Sequence, residues 1–151
     1  MALFGTVRTF NGLIRTCRDG EAACRAWSGA AQTGALRELL CERSQEWARQ
    51  ADELQALVLL FEGRPARAGT VGGRVLAVWM AAKATLLGRS DLPIVLDWEH
   101  VQRRALRRYQ HALRGPLPER VRRSLTLQAS RLSVHHHRLE DLRGHFAAQS
   151  H

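Results

Sequence analysis

The chain of 151 residues is 45% hydrophobic and 25% charged, a composition that indicates a folded protein and excludes an intrinsically disordered one. Its length is that of one domain, so we predict a single domain over residues 1–151. No apolar run is long enough to cross a membrane and no signal peptide is evident at the N-terminus, so we expect a cytoplasmic protein with no membrane partner.

The net charge of +9 is unevenly distributed along the chain. Residues 1–68 carry 9 arginines against 8 acidic residues, whereas residues 69–151 carry 14 basic residues against 6 acidic ones. Such an excess in the second half can indicate an anionic partner. It can also reflect a genome whose base composition favours arginine codons, and the sequence leaves both explanations open.

Hydrophobic residues recur at helical spacing, and no alternating pattern typical of a β-strand interrupts them. We therefore predict an all-α fold, with helices at about residues 6–30, 35–62, 71–87, 92–113 and 118–146. The first two helices and the last two are joined by short loops, which predicts two antiparallel hairpins. The short third helix lies in the connection between the hairpins.

Local signals mark the ends of these helices. Gly63-Arg64-Pro65 should end the second helix, with Gly63 in the left-handed cap conformation. Thr70 is the predicted N-cap of the third helix, and Ser90 or Asp91 the N-cap of the fourth.

The first helix carries a carboxylate on its apolar side. Glu21 projects only about 20° from Ile14 on the helical wheel, so it should be buried and should need a partner. Arg43 faces the core from the second helix and lies at the same height if the hairpin turns near residue 32. We predict a buried Glu21–Arg43 ion pair. Gln102 and Gln128 are matched in the same way about the second hairpin turn and would complete a polar layer.

The third helix is apolar on nearly every side. We expect Trp79 and Met80 to contribute to an interface between two copies of the chain, which would make the protein a homo-dimer or another homo-oligomer. A helix of this kind could equally be a lid over the core.

The chain resembles, over nearly its whole length, a bacterial family of small four-helix-bundle proteins that are classed as ferritin-like. The resemblance rests on the order and spacing of short landmarks: Leu13-Ile14, Cys17-Arg18-Asp19-Gly20-Glu21, Glu42-Arg43-Ser44-Gln45, Gly63-Arg64-Pro65, Gly69-Thr70-Val71, Trp79-Met80 with Lys83, Trp98-Glu99, Ala105-Leu106 with Tyr109, His136, and Arg138-Leu139. It implies a ferritin-like four-helix bundle with an extra short helix in the crossover. The family has no established reaction, so the resemblance implies no activity.

Ferritin-like di-metal sites take one Glu from each of two helices and a Glu-x-x-His motif from each of the other two. Here Glu21 fits such a set, but Gln102 replaces an expected carboxylate and Ser133 stands three residues before His136. We therefore expect the di-metal site to be lost and no cofactor to be bound. The alternative is a degenerate or mononuclear metal site at Glu21, Glu99 and His136.

Three consecutive histidines, 135–137, could also suggest a metal site. Adjacent residues diverge by about 100° around a helix, so one ion cannot be bound by all three. We expect two to lie at the edge of the core and His137 to face water.

Two arginine clusters keep an anion-binding function open. They are predicted on the fourth helix and at the start of the fifth, at the same end of the molecule, and consist of Arg103, Arg104, Arg107 and Arg108, and of Arg120, Arg122 and Arg123. They could bind nucleic acid or another polyanion through charge, although no nucleic-acid-binding motif is present.

No catalytic set of residues emerges from the sequence. We therefore predict a non-catalytic helical protein that acts in assembly or interaction. A metal-binding ferritin-like protein and an arginine-driven polyanion binder are the alternatives.

Overall fold

A computed structural model describes residues 2–87 and 90–149, and within these ranges the chain is all-helical and contains no strand. Five helices follow one another: α1 (Ala2–Ala30), α2 (Gly34–Leu60), α3 (Val71–Leu87), α4 (Leu92–Arg114) and α5 (Glu119–Gln149). None of the described helices combines the length and the apolar character that crossing a membrane would need.

The helix order and most helix ends agree with the prediction, but α1 and α5 are longer than expected. α1 begins at Ala2 rather than near residue 6, and α5 continues to Gln149 rather than ending near residue 146. Residues 147–149 are two alanines and a glutamine, all good helix formers, and no proline precedes the expected start of α1. At the end of α5 the last large apolar residue is Phe146, which is why the prediction stopped there.

The C-terminus of α2 corrects the predicted cap. Glu62, and not Gly63, has the left-handed conformation, with φ of 57°. The N–H of Gly63 then donates to the carbonyl oxygen of Val58 at 3.0 Å. Gly63 is needed for another reason, because a Cβ at this position would lie 2.9 Å from both methyl groups of Val7.

The helices bury one hydrophobic cluster between them. α1 packs against α2, α3 and α4, and α4 packs against α3 and α5. The largest fully buried side chains come from α1, α2, α4 and α5, and include Trp27, Trp47, Trp98, Tyr109 and Leu125. The apolar stripes that the sequence predicts on these helices therefore face a shared interior.

Consecutive residues near the middle of α1 bind different parts of the molecule. Arg18 reaches α2, where it donates to Asp52 at 2.8 Å and to Gln55 at 3.2 Å. Asp19 accepts hydrogen bonds from Thr70 at the start of α3. Gly20 lies against Trp47, since a Cβ there would be 2.6 Å from the indole ring. This segment positions α2 and α3 on α1.

Asp91 is the N-cap residue of α4, but its side chain caps another segment. The buried carboxylate accepts hydrogen bonds from the backbone N–H groups of Gln32 at 2.8 Å and Thr33 at 3.0 Å, and from the Thr33 hydroxyl at 2.7 Å. Asp91 thereby holds the α1–α2 loop against the start of α4. A carboxylate can accept several such bonds at once, which explains why it is tolerated in the interior.

Candidate functional site

The structure does not pair Glu21 with Arg43. The Glu21 carboxylate binds two residues of its own helix, Arg18 at 2.9 Å and Arg25 at 3.1 Å. Arg43 is buried, as predicted, but forms its ion pair with Glu46. The predicted alignment of α1 with α2 was right, since residues 21 and 43–44 lie at the same level of the hairpin. The Ser44 hydroxyl donates to the Glu21 carbonyl oxygen at 3.2 Å.

The direction of the Glu21 side chain is what the prediction had wrong. Gly20 occupies the buried position and Trp47 of α2 fills the space in front of it, so Glu21 is left at the border of the core. There it meets arginines three residues before and four residues after it on the same helix surface. The expected buried ion pair is therefore wrong. Glu21 and Arg43 instead belong to two separate ion-pair networks, one with Arg18 and Arg25 and the other with Glu46.

Gln102 and Gln128 are both buried, but they lie in separate hydrogen-bond networks. Gln102 donates to the carbonyl oxygen of Leu132 at 3.2 Å. Gln128 accepts from the Tyr109 hydroxyl at 2.6 Å and donates to Glu53 at 2.8 Å.

The Gln128 network extends across the interior. The Tyr109 hydroxyl also lies 3.2 Å from the Cys17 sulfur, so side chains of α1, α4, α5 and α2 are joined in sequence through Cys17, Tyr109, Gln128 and Glu53. Burial raises the pKa of Cys17 to about 12, and burial also raises the pKa of Tyr109. Neither group is ionised near neutral pH, so this network lacks a nucleophile.

The three candidate metal ligands are only partly brought together. Glu99 and His136 are close, and Glu140 joins them, with one potential ligand atom of each within 4.8 Å of the others. Glu21 is not part of this cluster. Glu140 was not predicted from the sequence, although its position four residues after His136 places both on one side of α5.

Some features of the cluster of Glu99, His136 and Glu140 favour the binding of a cation, and others oppose it. Glu99 Oε2 and His136 Nδ1 are buried and have no hydrogen-bond partner among residues 2–87 and 90–149. Glu99 Oε1, however, accepts from Arg103 at 2.8 Å and from Arg143 at 3.0 Å. The two carboxylates and the imidazole are hard or borderline donors that suit one divalent cation, whereas the arginines already neutralise part of their charge.

The other two histidines of the triplet have different surroundings. His135 Nε2 lies 2.9 Å from Glu46, whereas His137 is exposed, with its Nδ1 3.8 Å from Glu140. Burial lowers the pKa of His135 to about 4, with smaller effects from the positive charges of Arg43 and Arg138. His135 is therefore a neutral structural group near pH 7.

The predicted anion-binding arginines divide into different groups. Arg103 is bound to Glu99, and Arg122 donates to the carbonyl oxygens of Leu113 and Gly115 at the end of α4. Arg120 and Arg123 are exposed on α5. Three of the seven, all on α4, line one groove: Arg104, Arg107 and Arg108.

This basic groove lies between α1 and α4 and has a volume of about 530 Å³. Its lining also includes Arg8 of α1 and His111 of α4. The sequence analysis missed Arg8, because only the packing of α1 against α4 brings it to the cluster. The spacing of 104, 107, 108 and 111 indicates one helix face and could have identified His111.

A second, mostly apolar cavity of about 570 Å³ adjoins the basic groove. It lies under α3, between that helix and α1 and α4, and its lining includes Leu76, Ala77 and Met80 of α3. Arg104 and Arg108 line both spaces and so mark the place where they meet.

The two predicted interface residues of α3 differ in exposure. Trp79 is 63% exposed, whereas Met80 is only 9% exposed and belongs to the core. The expectation that Met80 takes part in an interface is therefore corrected. The outward face of α3 is nonetheless strongly apolar and consists of Val71, Val75, Val78, Trp79, Ala82 and Leu86.

These features define an all-helical protein in which α3 covers an apolar cavity beside a basic groove. The chain belongs to the DUF2383 family, a domain of unknown function whose model matches residues 5–115. The match covers nearly all of α1 and the whole of α2, α3 and α4, whereas the landmarks at His136 and Arg138 lie beyond it. No curated protein matches the chain.

Proposed function

We propose that the protein is a non-catalytic assembly module, in which a ferritin-like four-helix bundle displays α3 as an interface for a second copy. The bundle would consist of α1, α2, α4 and α5, with α3 in the crossover. Contacts of α1 with α2 and α4, and of α4 with α5, support this arrangement. Gln128 of α5 also donates to the carbonyl oxygen of Gln50 on α2 at 3.4 Å, which supports the fourth side of the bundle.

The observation that carries the proposal is the outward apolar face of α3. Its residues recur every three or four positions, as in helices that pair through a continuous seam. α1, α2, α4 and α5 direct their main apolar stripes to the shared core, so α3 is the described helix whose apolar seam faces outward. A second copy supplies the matching seam by two-fold symmetry.

The charges near α3 favour this occupant. The outward seam itself contains no charged residue. Arg74 is exposed beside Val75, and Lys83 is paired with Asp97 at 3.2 Å. If a partner helix carried charged residues at the contact, those charges would be desolvated and would find no opposite charge in the seam of α3. The seam of a second copy is apolar, so no charge would be buried.

Sedimentation equilibrium tests the proposal. We expect the wild-type protein to form a dimer, and Val75→Glu combined with Val78→Glu to give a monomer that keeps its helical circular dichroism. The matched control is Leu59→Glu combined with Leu127→Glu, which places the same charges on exposed leucines of α2 and α5 and should leave the dimer intact. A wild-type protein that is monomeric at all accessible concentrations contradicts the proposal.

The absence of catalysis is part of the same proposal. The buried thiols Cys17 and Cys24 both have a pKa raised to about 12 by burial, which makes them poor nucleophiles. All three cysteines are free, which supports a reducing, cytoplasmic location.

A mononuclear metal site is the second candidate function, favoured by the closeness of Glu99, His136 and Glu140. Titration with Zn²⁺ and Mn²⁺ should then saturate at one ion per chain, and Glu140→Gln should weaken binding strongly. Glu21→Gln is the control, because Glu21 lies outside the cluster. Metal binding that is unchanged by Glu140→Gln, or that does not saturate, removes this candidate.

Binding of nucleic acid has less support than either function. Arg103 and Arg122 of the two clusters are engaged in bonds within the protein, and the basic groove is lined by arginines of the α4 cluster and by none of the α5 cluster. A groove of about 530 Å³ suits the headgroup of a small anion better than a duplex.

A further inference from the structure

The basic groove contains several positive charges that no carboxylate neutralises. Arg8, Arg104 and Arg107 form no ion pair within the described residues, and the lining of the groove includes no acidic residue. Arg108 donates to the Thr16 hydroxyl at 3.1 Å, which fixes its position without changing its charge. Four guanidinium groups at one groove raise the local positive potential, and an anion bound there relieves their repulsion.

Guanidinium groups are well suited to bind carboxylates and phosphates. Each presents several N–H donors in a plane, so that two parallel hydrogen bonds can reach two oxygens of one ligand. Gly12 of α1 also lines the groove, and a Cβ added there would meet nothing within 4 Å. The groove is therefore open at this position.

The adjoining cavity has the opposite character. Leu76, Ala77 and Met80 of α3 line it on one side, and Val101 and Ala105 of α4 line it on another. Its one acidic lining residue is Asp19, whose oxygens are both hydrogen-bonded to Thr70. The cavity can thus accept an apolar group, but it offers little to a second charge.

We propose that the groove and the cavity together bind a small amphipathic anion. Its carboxylate or phosphate headgroup binds Arg104 and Arg108, with Arg8 and Arg107 adding to the positive field, and its apolar body extends beneath α3. The shared position of Arg104 and Arg108 carries this inference, since a ligand that spans both spaces passes these two residues. The site is independent of the outward seam of α3, which lies on the other side of that helix.

Isothermal titration calorimetry with defined probes tests the proposal. Octyl phosphate and octanoate are the amphipathic probes, which distinguish the two headgroups, while inorganic phosphate lacks the apolar body and 1-octanol lacks the charge. We expect at least one amphipathic probe to bind at one site per chain. Inorganic phosphate and 1-octanol should each bind at least about tenfold more weakly. Inorganic phosphate lacks the burial of an apolar chain in the cavity, and 1-octanol lacks the charged hydrogen bonds to the arginines.

Two matched double variants assign the site to the groove. Arg104→Gln combined with Arg108→Gln should weaken binding of the amphipathic probe by about tenfold or more. Arg120→Gln combined with Arg123→Gln removes the same charge from exposed positions on α5 and should change affinity by less than about twofold. All four positions are exposed, so we expect both variants to keep their helical circular dichroism.

A series of alkyl phosphates tests the cavity without any mutation. From butyl to octyl phosphate, affinity should rise by about threefold per methylene, as expected for burial of an apolar chain. Equal weakening by the two double variants would overturn the proposal, because binding would then depend on net charge alone. Equal affinity for inorganic phosphate and octyl phosphate would also overturn the proposal. Displacement of octyl phosphate and octanoate by duplex DNA would overturn it too, because the groove would then bind a polyanion.

Discussion

Asp19 in the middle of α1 binds Thr70, the residue immediately before α3, through two hydrogen bonds. Its carboxylate accepts the backbone N–H of Thr70 at 2.8 Å and the Thr70 hydroxyl at 3.0 Å. The same hydroxyl accepts the N–H of Gly73 at 2.8 Å, so Thr70 is the N-cap of α3, as the sequence predicted. The close approach requires small neighbours, since a Cβ at Gly69 or Gly73 would lie 2.2 or 2.3 Å from Asp19.

Asp19→Ala should loosen α3 without unfolding the rest of the chain. The variant removes both hydrogen bonds to Thr70 and a negative charge from the N-terminal end of α3, where the helix dipole favours it. We expect a loss of about 1–3 kcal/mol in the free energy of unfolding and faster amide hydrogen exchange over residues 71–87. Exchange measured by mass spectrometry checks the local effect.

Asp52→Ala is the control for this substitution. Asp52 also pairs with a neighbour across α1 and α2, but it is largely exposed and should contribute less than about 1 kcal/mol. Unchanged exchange in α3 after Asp19→Ala would mean that packing of Ala77 and Met80 alone holds the helix in place.

Hydrophobic periodicity was sufficient to predict the helices and most of their buried faces. Ile14, Leu40 and Tyr109 lie at helical spacing with other apolar residues, and all three are fully buried. Periodicity describes the face of a single helix, so it cannot tell which side chain stands opposite. The indole of Trp47 in front of Gly20 is such a case, and it is the reason why Glu21 lies at the border of the core.

The candidate sites depended still more on packing between helices. Arg8 joins the α4 arginines only because α1 lies beside α4, and nothing in the local sequence of α1 indicates this. Ion pairs were hard to predict for a related reason. Arg43 and Glu21 each form ion pairs with residues three or four positions away on the same helix. Such local pairs close no long loop, so they form at a lower cost in chain entropy than pairs between helices.

Gly20→Ala and Gly12→Ala should change stability in opposite directions, although both lie in α1. A Cβ at Gly20 would be 2.6 Å from the rigid, buried Trp47 ring, so the helices must separate and we expect a loss of about 1–3 kcal/mol. A Cβ at Gly12 meets nothing within 4 Å, so Ala should gain about 0.5–1 kcal/mol from its helix propensity. Urea unfolding measures both, and equal effects would contradict the tight α1–α2 contact.

Glu62→Gly should stabilise the protein by about 0.5–1 kcal/mol. Glu62 is exposed and has φ of 57°, a conformation that glycine adopts without the steric cost of a Cβ. Gly63→Ala is the companion variant and should be destabilising, because its Cβ would press on the stiff methyl groups of Val7 at 2.9 Å. Thermal unfolding compares the two. A stabilising Gly63→Ala would show that residue 63 does not pack tightly against Val7, and a destabilising Glu62→Gly would contradict the left-handed conformation of residue 62.

The three cysteines should differ sharply in reactivity. Burial raises the pKa of Cys17 and of Cys24 from 9.0 to about 12, whereas the Cys41 thiol is exposed on α2. Iodoacetamide at about pH 8 should therefore modify Cys41 in the folded protein and leave the other two unmodified until urea unfolds it. Mass spectrometry of tryptic peptides follows each site separately.

The same pKa shifts make stability depend on pH in the alkaline range. Above about pH 9 the thiols of the unfolded chain ionise while Cys17 and Cys24 stay protonated in the folded one, so unfolding releases protons. The free energy of unfolding should consequently fall as pH rises from about 9 towards 12. Cys24→Ala should reduce this slope, and Cys41→Ala, which removes an exposed thiol, is the control. Rapid alkylation of Cys17 in the folded protein would show that the interior around the Tyr109 network opens readily.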